Sequence, residues 1–479
     1  MALAILLTIA VLSKAQSSLI FYHTQENVNS SNLNPAFLST QEKFTFSIFP
    51  LSGMSVGYNK QEVIQGMLTK FIKQTITDDD YNQIFDKLVK TGLFYQRMEF
   101  SLLNAGYNSD IGSFNFRIRE AEQLISNFNG NFSNFLSDPD YSTVFLNKRQ
   151  TFPAEIVHYR EYSLGYGKDI SNKLSVGVRA KIYFGKSSLY SEVQGEALLK
   201  DGSYSLNTYG PVRLSIPLSF RQNTDSLLDG VDVVANYNLK DYVMNSKNLG
   251  LGIDLGFNYR INSRTEISAS VIDLGKIRWK SNINSLILKG QYTFPEEYIS
   301  EKGVDYLSKT PNFSTENEDV HGLFKVEKDN QEYSLSLPTT FYIGIKHRLS
   351  SNVNIGFVNR LVDYKGLRHN SLLLTSGFDI NKKLNISLGY SIIGDSYFNL
   401  PLGFFYNWSY GQTYIGTDNL MSFLIPDMAG FSGVSFGTSF YLFKDKVKYE
   451  EIKYQPFFRK KKHKPVNKKG LIFKTDPEL

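Results

Sequence analysis

The sequence predicts an all-β protein: a transmembrane antiparallel β-barrel of about fourteen strands, with an N-terminal plug and short helical loop insertions. Three observations predict it. Apolar residues recur at every second position through many short stretches. Tight turns and long polar connections join those stretches alternately, as in outer-membrane barrels. After the first dozen residues no run of about 18 apolar residues occurs, which excludes a helical span.

The clearest stretch is "LGLGIDLGFNYRI", residues 249–261. Leu249, Leu251, Ile253, Leu255, Phe257, Tyr259 and Ile261 share one face, while Gly250, Gly252, Asp254, Gly256, Asn258 and Arg260 share the other. In a soluble sandwich the apolar face would pack a core. In a membrane barrel it meets lipid, and the polar face looks into a lumen. The whole chain favours the barrel. Its 479 residues exceed one soluble core, whereas a barrel's circumference grows with strand number. Tyrosine (30), phenylalanine (36) and glycine (35) are abundant and proline (14) is scarce, which favours strands over a helical bundle. The mean hydropathy of −0.25 suits a wall in which only alternate residues touch lipid.

Taken in order, "MALAILLTIAVLSKAQ" predicts a signal peptide over 1–15. An apolar stretch from Ala2 to Leu12 precedes a small-x-small site, Ser13-Lys14-Ala15, although no lysine or arginine stands before it. Export to the outer membrane of a Gram-negative envelope follows. Residues 16–43 form the expected plug segment, 44–443 the barrel and 444–479 a basic periplasmic tail.

Four stretches within the barrel share one pattern: "YGKDISNKLSVGV", "YRINSRTEISASV", "HRLSSNVNIGF" and "FDINKKLNISLGY". Each reads as a strand, a Ser/Asn/Lys turn and a second strand, which is a hairpin. Strands are expected at 44–58, 97–107, 112–118, 157–168, 174–189, 249–261 and 264–278. A second set is expected at 339–349, 352–361, 371–380, 384–393, 400–409, 413–419 and 431–443. The number is even, so both chain ends fall on the short-turn, periplasmic side. A weaker pair (190–199 with 203–209) and two pieces (285–293, 320–327) extend neighbouring strands above the membrane or raise the count. The longer connections are 59–96, 119–156, 221–248, 294–332 and 362–370. "EVIQGMLTKFIKQ" places Val63, Ile64, Met67, Leu68, Phe71 and Ile72 on one helical stripe, "DDDYNQIFDKLVKTG" has an acidic start and a glycine end, and 119–136 is read as helical too. These pieces cap the outer mouth or act as a lid.

Chemistry-bearing motifs are few. "GVSFG" (433–437) matches the nucleophile pattern around Ser435, but it continues an alternating strand where that motif needs a strand-to-helix elbow. "YFGKSS" (183–188) lacks the first glycine of a phosphate loop, Ala180 standing in its place. There is no cysteine, and the six histidines show no metal-ligand spacing. No catalytic residue, metal or cofactor is expected. The residues of interest are ionisable ones on the polar rows: Glu161, Arg179, Lys181, Asp254, Arg260, Glu266, Lys346 and Arg348. They predict either a lumen stitched by ion pairs or a polar constriction that selects what passes.

The tail carries twelve Lys/Arg against five Asp/Glu. It reads as a solvated extension or as a handle for anionic lipid or an envelope protein; nucleic acid is not expected behind an export signal. Segment 295–320, with seven acidic and two basic residues, reads as an outward loop.

The stretch "SSNLNPAFLS" (30–39) contains Asn34, Pro35 and Ala36. This Asn-Pro-Ala is similar to one near the mature N-terminus of barrels of the long-chain fatty-acid transporter type, where the region belongs to a plug. "YREYSLGYGKDISNKLSVGVRAKIYFGKSS" (159–188) and "YIGTDNLMSFL" (414–424) resemble more closely an uncharacterised Bacteroidetes outer-membrane barrel family, a domain of unknown function. That resemblance spans about residue 20 to 443 and implies a roughly fourteen-stranded plugged barrel. It brings no activity and no site residues. The leading expectation is passive uptake of small hydrophobic molecules through a plugged lumen, with outer-membrane lipid around the barrel; the alternative is a non-enzymatic envelope protein serving secretion or surface assembly.

Overall fold

The computed structural model describes residues 19–24, 27, 29–40, 43–59, 92–128, 149–200, 203–222, 228–233, 239–295, 324–394, 396–425 and 430–442. In chain order the strands begin with β1 (Phe44–Ile48), β2 (Met54–Asn59), β3 (Gly92–Ser109), β4 (Gly112–Phe128), β5 (Arg149–Asp169), β6 (Leu174–Lys200) and β7 (Ser203–Ser215). There follow β8 (Leu218–Gln222), β9 (Leu228–Val233), β10 (Asn248–Arg260), β11 (Thr265–Trp279), β12 (Leu286–Pro295), β13 (Phe324–Lys328) and β14 (Tyr333–Ser336). The last are β15 (Thr339–Arg348), β16 (Val353–Tyr364), β17 (Leu367–Asp379), β18 (Leu384–Ile393), β19 (Ser396–Asn399), β20 (Leu402–Trp408), β21 (Gly411–Thr417) and β22 (Phe431–Leu442).

β1 and β2 are two halves of one barrel strand. Both pair antiparallel with β22, Phe44 opposite Leu442 and Asn59 opposite Phe431. β1 also pairs with β3, with Phe44 opposite Tyr107. The remaining neighbours follow the chain from β3 through β6, then β10, β11, β15 to β18, and β20 to β22. This closes an antiparallel ring of fourteen strands, as the alternation predicts. Among the described residues each of the fourteen ring strands has a partner on both sides.

Side-chain direction settles which face is inside. The seven apolar residues of 249–261 are 37% to 64% exposed, while Asp254 and Asn258 between them are 0% and 1% exposed. Phe341, Ile343 and Ile345 of β15 repeat the pattern, with Tyr342 buried between them. An exposed apolar belt around a buried polar interior is a soluble protein turned inside out, and hydrocarbon is the solvent that suits it.

The extension above the belt is also present. β6 runs 27 residues and pairs beyond Ser188 with β7, from Ser188 opposite Ser215 to Lys200 opposite Ser203. β7 pairs with β12, and β12 with β13. On the other side β20 and β21 have 7 residues each, so the wall is far taller around β5 and β6.

Two expectations are corrected. Residues 119–128 form strand, not helix: Arg119 through Ser126 are in register with β3 on one side and β5 on the other. Lateral hydrogen bonding on both edges overrides the weak helical spacing. The connection 362–370 shrinks to the turn Lys365-Gly366, both at positive φ (48° and 86°), between Tyr364 and its partner Leu367. The signal segment, residues 60–91 with their helical spacing, residues 129–136, the acidic loop and the basic tail lie outside the described residues. Short loop helices occur at Leu239–Val243 and Met421–Leu424.

Candidate functional site: the occupied lumen

One wall of the lumen is a network of buried charges. Asp254 on β10 faces Arg179 and Lys181 on β6 because all three sit at inward places of paired strands. Lys181 Nζ lies 2.6 Å from Asp254 Oδ1 and 2.5 Å from Asp273 Oδ1, and Arg179 Nη1 lies 3.4 Å from Asp254 Oδ2. Glu161 on β5 accepts from Arg117 (2.7 Å) and Arg119 (2.5 Å) on β4. Arg119 reaches on to Asp273 at 2.9 Å and to Glu99 on β3, and Arg97 bonds Asp273 at 2.6 Å. Every member is buried. Such a network adds little net stability over apolar packing, but removing one partner strands the others.

Asp273 is its hub through a β-bulge. Ile272 and Asp273 together oppose Asp254, and Asp273 takes φ 60° while its N–H donates to Asp254 Oδ1 at 2.8 Å. The extra residue turns Asp273 inward and reverses the alternation after it. Leu274 is therefore exposed, whereas Ile277 and Trp279 are buried.

The N-terminal residues lie against this lumen. Leu19–Phe21 form a 3-10 turn, Ser30–Leu33 a helical turn and Pro35–Thr40 a second 3-10 turn. Leu19, Ile20, Phe21 and Tyr22 join an apolar cluster with Ile272, beside Asp273, and with Tyr342, Val358, Leu373, Phe405 and Tyr414 farther round the ring. Phe21 packs edge-on against Phe405 (5.5 Å) and Tyr414 (5.2 Å), and Tyr22 stacks on Tyr342 at 5.4 Å. His23 Nε2 donates to the Phe357 carbonyl at 3.0 Å. Burial, reinforced by the Lys346 charge, pushes its imidazole down to about 3, so it is neutral.

Asn34, Pro35 and Ala36 make the most specific contact. Asn34 Nδ2 donates to the carbonyls of Phe257 (3.1 Å) and Ala269 (3.3 Å) on neighbouring strands, and its Oδ1 accepts from the Ala36 N–H at 3.0 Å. Beneath them Gly177 and Gly256 supply bare backbone. A Cβ at Gly177 would overlap the Pro35 backbone, and one at Gly256 would overlap the Asn34 amide. The glycines of the polar row are thus a floor for the N-terminal residues. Arg179 Nη2 donates to Ser31 O at 3.0 Å, and Ser270 Oγ to Leu33 O at 2.5 Å.

The structure brings together four of the eight ionisable residues singled out in the sequence: Glu161, Arg179, Lys181 and Asp254. The other four lie nearer the short-turn end. Glu266 accepts from Asn258 at 3.1 Å, Arg260 meets the Asn172 carbonyl, and Lys346 and Arg348 line a polar cavity of about 50 Å³ beside His23. A second lumenal cavity, between Phe21, Asn32 and Arg117, holds about 40 Å³. Each has room for only a few waters. A larger groove of about 580 Å³ lies among Val178, Leu255, Phe257, Val271 and Ile343, on the lipid-facing side of the wall. Ser435 sits within β22 with its hydroxyl 2.8 Å from that of Ser55, in strand on both sides.

No curated protein matches the chain in sequence. Among solved structures it is similar to the toluene transporter TbuX of Ralstonia pickettii at 12% identity, covering 86% of this chain and 93% of that one, with a TM-score of 0.40. The toluene transporter TodX of P. putida gives 8% identity, 86% and 93% coverage and a TM-score of 0.37. A Pseudomonas aeruginosa FadL homologue gives 10% identity, 87% and 93% coverage and a TM-score of 0.36. In sequence, residues 35–418 match the profile of a family of unknown function (DUF5723), and the chain belongs to that family.

Proposed function

We propose that this outer-membrane-type barrel is a path for small hydrophobic molecules, held closed by residues 19–40 acting as a plug. One observation carries the reading. The apolar wall formed by Ile272, Tyr342, Val358, Leu373, Phe405 and Tyr414 is covered by Leu19–Tyr22, which belong to no barrel strand. When that cover moves, an apolar surface faces the lumen, and a small hydrophobic molecule gains by transfer onto it. The charged wall opposite is anchored by its own pairs and stays in place.

The test is uptake of a lipophilic fluorescent probe into liposomes carrying the purified barrel. Deleting residues 19–40 should raise the rate severalfold over the full chain. Equal rates for full chain, deletion and empty liposomes would sink the reading.

A further inference from the structure

At the outer end of the lumen the tip of one hairpin packs against the opposite wall. Four inward residues on adjacent strands stand in one registered row. Tyr95 of β3 faces Ile125 of β4, Ile125 faces Glu155 of β5, and Glu155 faces Tyr190 of β6. β16 and β17 lie across the ring from β3 and β4. Their joined tip nevertheless meets this row. The His369 ring stacks on Tyr95 with centroids 5.6 Å apart. Val362 and Tyr364 cluster with Tyr95 and Ile125, with Leu367 packed against them. The Lys365 ammonium stands 3.6 Å from the centre of the Tyr190 ring. Along β17 this contact lies four residues beyond Leu373, which touches the N-terminal cluster. The left-handed Lys365-Gly366 turn gives the tip the tight reversal that follows strand twist.

The contact is buried yet poor in hydrogen bonds. Gln123, Glu155, Tyr364 and His369 are each 3% to 5% exposed. Among the described residues the Gln123 amide, both Glu155 carboxylate oxygens, the Tyr364 hydroxyl and both His369 ring nitrogens have no hydrogen-bond partner. Buried polar groups in that condition favour any state that lets water reach them. Apolar packing and the Lys365–Tyr190 contact oppose this and hold the tip in place.

We propose that the β16–β17 tip is a latch: it seats on the shelf of Tyr95, Ile125, Glu155 and Tyr190 to seal the outer mouth, and lifts to open it. The latch is distinct from the N-terminal plug and does not depend on which molecule passes. The absence of cysteine makes it testable. Ala121→Cys, buried on the inner face of β4 below the shelf, gives a single reporter for an impermeant maleimide added outside intact cells. Lys365→Met removes the cation over Tyr190. Gly366→Ala strains the turn at φ 86° where a Cβ meets open space.

Lys365→Met is expected to raise Ala121→Cys labelling roughly tenfold, the weight of one cation–π contact, and Gly366→Ala to raise it about severalfold through backbone strain. A rise in either variant supports the latch, and unchanged labelling in both overturns it. Faster labelling in a barrel that passes no lipophilic probe would keep the latch and sink the proposed path.

Discussion

Arg179 donates from Nη2 to the carbonyl oxygen of Ser31 at 3.0 Å while its Nη1 faces Asp254. One guanidinium thus joins the buried charge network of the wall to the N-terminal residues in the lumen. A hydrogen bond from a charged donor contributes roughly 1.5–3 kcal/mol. Arg179→Met should therefore loosen residues 19–40 by about that amount. Asp254 keeps Lys181 at 2.6 Å, so the wall should survive. Limited proteolysis of refolded barrels measures the effect: cleavage near residues 24–30 should quicken about tenfold or more. Unchanged cleavage would show that Arg179 does not hold residues 19–40.

Gly177 and Gly256 make a steric prediction. Valine at either place would drive side-chain atoms into Pro35 or Asn34, and the overlap falls on backbone at Gly177. The strand accepts valine, so the barrel should still form and keep its heat-modifiable migration. The N-terminal residues should not seat. A cysteine replacing Ile20, buried in the native protein, should label rapidly in the valine variants and slowly in the parent.

Asp273 predicts stability rather than gating. It accepts from Arg97, Arg119 and Lys181, and its removal leaves three cations facing a diminished set of anions. Breaking a buried network by removing one partner costs about 3–5 kcal/mol. Asp273→Asn should lower the urea midpoint of the refolded barrel accordingly. A midpoint within error of the parent would show that the cations reorganise freely.

These residues mark how far the sequence could be read. Alternation identifies the wall strands and puts Glu161, Arg179, Lys181 and Asp254 on the lumenal side, because strand period is a local property. Arg117 lies on the inward row of a recognised strand, and reading that row would have found it; Arg97 and Glu99 stand beyond a register shift between Ser101 and Leu103 that changes the phase of their row. Arg119 is hidden by a helical-looking spacing that only pairing with β3 and β5 overrules. Asp273 is hidden by the bulge, which moves it off the row simple alternation assigns. The sole local sign is a shift of phase after it, with Ile277 and Trp279 replacing even-numbered places as the inward row. That the glycines form a floor for Asn34 and Pro35 depends on contacts between residues far apart in the chain, as in the 223-residue separation of Asn34 and Phe257, and no period encodes it.

His23 gives a pH prediction whose sign follows from its burial. The docked imidazole is held down to about 3, from an ordinary value of 6.5, by desolvation and then by the Lys346 charge. Between those values the released state binds more protons than the docked one. Docking stability is therefore fully present above pH 6.5 and is lost as pH falls toward 3. At pH 5 the loss is about 2 kcal/mol, which corresponds to roughly thirtyfold more released segment. Cysteine labelling at position 20 should accelerate by that order between pH 7.5 and 5, after correction for the reagent's own pH dependence. His23→Gln retains a donor for the Phe357 carbonyl and removes the titration, so it should flatten the profile. An equally steep profile in His23→Gln would assign the pH response to another group and remove His23 from the docking equilibrium.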